Sequence, residues 1–222
     1  MGPYLIDLHC HTSEHSYDGR ASLAEIMAGL VPAGFHGLVI TDHNYVWPAE
    51  EIAEYRAKNN LPEDFVILSG QEVRTIMDGV VVGDMLVYGP THPMPDGMEP
   101  EECLRQARLS GGFCLAAHAG VPRIGMQEAV GDYPITGVEV WNGRYGQRAA
   151  VKARTYAEQF GLPATGGSDT HSVRDIAGGG TLFPRIPRSI SDLREMIIAD
   201  ECKPWRPRGG RGLLGWLLGS ED

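Results

Sequence analysis

The chain has 222 residues, 42% of them hydrophobic and 22% charged, with a formal net charge of -10. That size buries a full core as one domain and suits a single α/β barrel, while the acidic balance argues against long nucleic acids and leaves small phosphorylated ligands open. Cys10, Cys103, Cys114 and Cys202 form no CxxC pair and read as reduced thiols of a cytoplasmic protein; no export signal or bilayer-spanning stretch is expected.

Strand and helix patterns alternate along the chain. A strand over Tyr4 to His9 is followed by a helix near Ser22 to Ala33, where Ser22 and Glu25 form a capping-box signal and Gly34 is placed to stop it. A strand over Leu38 to Thr41 precedes a helix near Pro48 to Asn60, then a strand over Phe65 to Leu68 and a pair of apolar segments around Gly79 to Tyr88. A helix near Pro100 to Leu109 leads to Phe113 to Ala117, and Gly137 to Trp141 precedes a helix near Gln147 to Phe160. Pro163 to Gly166 and a last helix near Ser191 to Ala199 complete the pattern. Such alternation predicts a parallel sheet, and polar chemistry at many strand ends favours closure into a barrel over an open doubly wound sheet. Residues 1–202 are the expected barrel; residues 203–222 change to Pro, Gly and Arg followed by Leu-Leu-Gly-Trp-Leu-Leu and read as a packed or partly disordered tail.

The chemistry collects at those strand ends. His9 and His11 alternate, so on a strand they share one face, roughly 6.6 Å apart at ~3.3 Å per residue, and can hold one metal ion. His43 follows the apolar run 37–40, Glu72 the run 65–68, His118 the run 113–115, and Asp169 and His171 the segment 162–165. Recurrence of buried-prone His, Asp and Glu at equivalent points is hard to explain by packing, because such groups are costly to bury unless paired or metal-bound.

Taken in order, His9-x-His11-Thr12, Tyr17-Asp18-Gly19, Thr41-Asp42-His43-Asn44, Glu72, Ala117-His118 and Gly167-Ser168-Asp169-Thr170-His171 resemble the PHP (polymerase and histidinol phosphatase) family over roughly residues 4 to 184. The resemblance implies a distorted (β/α)7 TIM-like barrel of α/β class, with a centre of two or three divalent metal ions (Mn, Fe or Zn) at the C-terminal ends of the strands. It also implies phosphoester hydrolysis by a metal-bound hydroxide, with Glu72, Asp169 and His171 among the catalytic groups. By the same resemblance His9, His11, Glu72 and Asp169 ligate a first metal, Glu72 bridges to a second also bound by His118, and Asp18, His43 and His171 hold a third. The chain departs from the pattern at Gly83-Asp84, where many relatives carry a ligating His. Asp84 either coordinates in its place, favouring manganese or iron over zinc, or is a solvated turn residue.

Phosphate calls for fork-shaped cationic donors near the metals. Arg123 follows the His118 segment and Arg144 follows Glu139-Val140-Trp141-Asn142, which makes both substrate-binding candidates, with Arg74 a third. The expected function is therefore metal-dependent hydrolysis of a small phosphorylated metabolite or nucleotide. The alternatives are an amidohydrolase-like C–N hydrolase and a non-catalytic metal-binding interaction module. Oligomeric state has no sequence signal.

Overall fold

Strand β1 (Tyr4–Cys10) is the member around which the sheet closes: it pairs in parallel with β2 (Gly37–Ile40) on one side and antiparallel with β8 (Gly180–Phe183) on the other. The computed structural model describes residues 3–207. From β2 the sheet continues through β3 (Val66–Met77), β4 (Val80–Tyr88), β5 (Phe113–Ala116), β6 (Gly137–Asn142) and β7 (Ala164–Gly167), and β9 (Lys203–Trp205) lies beyond β8. The chain leaving β7 returns to β1. The Asp169 amide donates to the His9 carbonyl and the His11 amide to the Thr170 carbonyl, both at 2.8 Å, and Thr170 bridges Cys10 in parallel. The sheet is thereby a nearly closed, distorted α/β barrel.

The helices are α1 (Leu23–Leu30), α2 (Ala49–Lys58), α3 (Pro100–Leu109), α4 (Gln147–Phe160) and α5 (Ile190–Ile198). The Ser22–Glu25 capping box forms in both directions, and α1 ends at Leu30, short of the expected Ala33, before a turn through Gly34 at φ +81°. Residues 127–131 make only a 3-10 turn between β5 and β6.

The sequence pattern predicted parallel strands throughout, and here the structure differs. β3 and β4 form one long antiparallel hairpin with no helix between them, and β4 is also antiparallel to β5. The turn is Asp78-Gly79, with φ of +51° and +77°, the two positive values that a tight hairpin turn requires and that Asp-Gly supplies. Glu72 and Asp84 consequently lie inside strands. At the start of the expected tail Lys203–Trp205 form β9 and pair with β8, and residues 208–222 of that tail lie outside the described residues. Among the described residues no helix is long and apolar enough to cross a membrane.

One apolar cluster joins Leu23, Ile26 and Leu30 of α1 to Leu38, Ile40 and Trp47, and another joins α3 and α4 to β3–β6. A third gathers Ile6, Leu8, Val39, Leu86, Tyr88, Leu115 and Phe183 against Leu193, Met196 and Ile197 of α5. Within it the fully buried Tyr88 hydroxyl donates to the Leu8 carbonyl at 2.9 Å, fixing β4 to the strand that carries His9. Tyr88→Phe should cost about 1–3 kcal/mol by leaving that buried carbonyl short of a donor. Urea unfolding of the variant against wild type checks this, and an unchanged midpoint would contradict it.

Candidate metal centre

The segments leaving β1, β2, β5 and β7 deliver His11, His43, His118 and Asp169 to one end of the barrel, where they meet His9, Glu72 and Asp84 from within strands β1, β3 and β4. Glu72 is fixed in register by its amide, which donates to the Thr41 carbonyl at 3.0 Å beside the His43–Glu72 bridge. Two positions take backbone conformations that L-residues rarely adopt, His118 at φ +29° and Asp169 at φ +55°. Such strain persists only where the surroundings over-determine it, a recurrent property of functional sites.

Three overlapping groups of donor atoms result, each with its atoms within 4.8 Å of one another: His9, His11, Glu72 and Asp169; Glu72, Asp84 and His118; and His11, Asp18, His43 and His171. Glu72 joins the first two. Its Oε2 lies 3.1 Å from His9 Nε2, 3.0 Å from His11 Nε2 and 3.5 Å from His43 Nε2, while Oε1 lies 2.8 Å from His118 Nε2. His9 Nε2 and His11 Nε2 face each other at 3.1 Å, and Asp169 Oδ1 is 3.5 and 3.6 Å from them. In the third group His171 Nε2 is 2.9 Å and His43 Nε2 3.6 Å from Asp18 Oδ2. Ser16 Oγ donates to Asp18 Oδ1 at 2.7 Å.

These residues fit divalent metal ions. Glu72, Asp84, Asp169 and Glu139 are all nearly excluded from solvent and outnumber the guanidinium groups beside them, an arrangement that needs cations. Asp169 Oδ1 has no hydrogen-bond partner, although His171 Nδ1 lies 3.2 Å away, and the buried Nδ1 atoms of His43 and His118 also lack partners. The same acidic field acts on protons. Burial opposes the charged form of His9, yet Glu72, Asp169 and Glu139 outweigh it and raise its pKa well above the ordinary value. His118 is raised in the same way, burial being overcome chiefly by Glu72. Burial holds His11 down to about 4, with positive charge on the neighbouring His9 and His171 acting in the same direction. Glu72 is pushed well below the carboxylate range because His9 and the imidazoles bonded to it outweigh its burial.

The sequence-derived residues divide as follows. All nine proposed ligands fall in the three groups, and His11 belongs to the third group as well as the first. Asp84 is not a solvated turn residue: it is 2% exposed, sits directly opposite Arg74 in the β3–β4 ladder, and receives Arg74 Nε and Nη2 at 2.9 Å each. It also lies 3.7 Å from His118 Nε2. Arg144 places Nη1 3.9 Å from Asp169 Oδ1. Arg123 is exposed in the loop whose next residue, Ile124, accepts the Asp84 amide at 2.8 Å. Both ring nitrogens of His171 are engaged, Nδ1 towards Asp169 and Nε2 towards Asp18. Sequence reasoning missed Glu139 and Asn142, which bind His9 and Asp169 from behind; Glu139 lies within a predicted strand and Asn142 just past its end.

A family model described as PHP-associated matches residues 147–202, the segment running from α4 through β7 to the end of α5. The ordered ligand motifs gathered into one centre agree with that match. The chain is similar to the PHP family in this segment. It is 25% identical over 146 residues, 61% of this chain and 80% of the relative, to the uncharacterised protein MJ1587 of Methanocaldococcus jannaschii. Its fold is shared with a candidate metal-dependent phosphoesterase of Bifidobacterium adolescentis, at TM-score 0.59 and 18% identity over 88% of this chain and 96% of that one. An amidohydrolase of Chromobacterium violaceum with bound sulfate shares it at TM-score 0.64 and 18% identity over 91% and 98%. The lesion-specific endonuclease Q of Pyrococcus furiosus shares it at 0.61 and 16% over 89% and 56%.

The chain should bind at least two divalent ions, since its donors exceed what one ion needs. Glu72→Gln should lower the bound metal more than Asp84→Asn, because Glu72 reaches two groups and Asp84 one. Elemental analysis of the three proteins measures this, and a greater loss in the Asp84 variant would reverse the assignment of the second site.

Proposed function

We propose that this protein is a metal-dependent hydrolase that cleaves phosphoesters of small phosphorylated metabolites or nucleotides. The observation that carries the reading is the set of three donor groups sharing Glu72 and His11 at one end of the barrel. Divalent ions held there would polarise a phosphoryl group, make water a better nucleophile and offset charge on the attacking and leaving oxygens. The grouped residues are histidines and carboxylates, which suit ligation and positioning, and in this reading water is the nucleophile.

Glu72 and Asp169 hold the donor geometry, and His171, with both nitrogens engaged, serves as a ligand in preference to a proton donor. Arg144, about one-third exposed and with Nη1 3.9 Å from Asp169 Oδ1, would bring its guanidinium to phosphoryl oxygens, and Arg123 can reach them from the loop beside Asp84. The net charge of -10 favours small substrates over the long duplexes that an endonuclease engages.

A phosphate-release screen over a metabolite panel, run on protein reconstituted separately with manganese, iron and zinc, tests the reading. Turnover of at least one small phosphomonoester supports it, whereas hydrolysis of amides alone, or of nothing by metal-loaded protein, overturns it. On the best substrate, Arg123→Ala and Arg144→Ala should each lower kcat/KM by about ten- to a hundredfold, the worth of one charge-assisted contact at ~1.5–3 kcal/mol. Metal content should stay unchanged. Arg105→Ala, which breaks only an exposed pair with Glu102 on α3, should leave the kinetics as in wild type.

A further inference from the structure

Glu139 on β6 is 1% exposed, belongs to none of the three donor groups, and yet touches the first two. Its Oε1 and Oε2 lie 3.1 and 3.3 Å from His9 Nδ1, and Oε2 accepts the His118 amide at 2.7 Å and Asn142 Nδ2 at 2.9 Å. Asn142 Nδ2 also reaches Asp169 Oδ2 at 3.1 Å. An ionised carboxylate only accepts, so every partner must donate and His9 Nδ1 must carry hydrogen. In the neutral ring that leaves the lone pair on Nε2, the atom that faces His11, Glu72 and Asp169. The bond to the His118 amide holds a residue whose φ of +29° is costly by itself.

A second feature is built around this contact. A Cβ added at Gly167 would stand 2.5 Å from His9 Cβ and 2.6 Å from Glu139 Oε1, so only glycine at the end of β7 lets the pair meet. We infer that Glu139 is a positioning residue that sets the tautomer of His9 and holds the His118 backbone, making metal binding by the first and second groups depend on one buried carboxylate. The inference rests on the metal-centre reading but not on the choice of phosphoester substrate.

Glu139→Gln preserves size but keeps one accepting oxygen and turns an NH2 group towards donors. Calorimetric titration of the metal-free variant with Mn2+ should show tightest-site affinity about 10–100-fold below wild type. Circular dichroism reports whether the variant is folded. Nitrogen-15 NMR of histidine-labelled wild type loaded with Zn2+ gives a reading independent of any variant: His9 should be protonated at Nδ1 and bound through Nε2. Wild-type affinity in a folded Glu139→Gln protein, or a His9 ring protonated at Nε2, would overturn the inference while leaving the phosphoesterase reading intact. Absence of Mn2+ binding by wild type would overturn both, and metal binding without phosphate release would remove only the proposed reaction.

Discussion

Glu72 is the constraint on which the rest of this structure depends. A carboxylate 2% exposed, with imidazoles of His9, His11, His43 and His118 within 3.5 Å of its two oxygens, has left water for partners that are themselves buried. Such a group is tolerable only when positive charge is brought to it. The acidic surroundings raise the proton affinity of His9 and His118, and the donor geometry is suited to positive charge in the form of divalent cations.

The barrel serves that constraint by bringing together residues far apart in sequence. The hydrogen bonds of Asp169 and His11 between the β7 and β1 exits bring the last motif against the first across some 160 residues. The β3–β4 hairpin inserts Asp84 and Arg74 into one ladder position, so an antiparallel pair supplies both an acidic donor and the guanidinium bound to it. The small-residue requirement at Gly167 and the positive φ angles at His118 and Asp169 show local chain preference yielding to the geometry of the centre.

Much of this was legible beforehand, for identifiable reasons. His, Asp and Glu after apolar runs announce themselves because burial of such groups needs compensation, and period-two spacing puts His9 and His11 on one face. The hairpin was misread because two apolar segments resemble successive parallel strands unless the Asp78-Gly79 turn is weighed. Asp84 could not be settled from sequence, since a Gly-Asp pair suits a turn as well as a strand, and only its register opposite Arg74 shows it buried and bridged. Glu139 and Asn142 stood in plain view at a strand end but carry no spacing signal that separates a group behind a ligand from a ligand.

The sequence by itself determined the fold class, the strands that carry chemistry and the identity of most donors, because hydrophobic periodicity and the cost of burying ionisable groups are local properties that a linear chain displays. The tertiary structure decided that His11 joins the group of Asp18, His43 and His171 as well as the first, and which carboxylate stands behind which imidazole. It also decided that Arg74 pairs with Asp84. Those are questions of distance between strands remote in sequence, and they are answered only when the sheet closes and fixes the register of β7 against β1 and of β4 against β3.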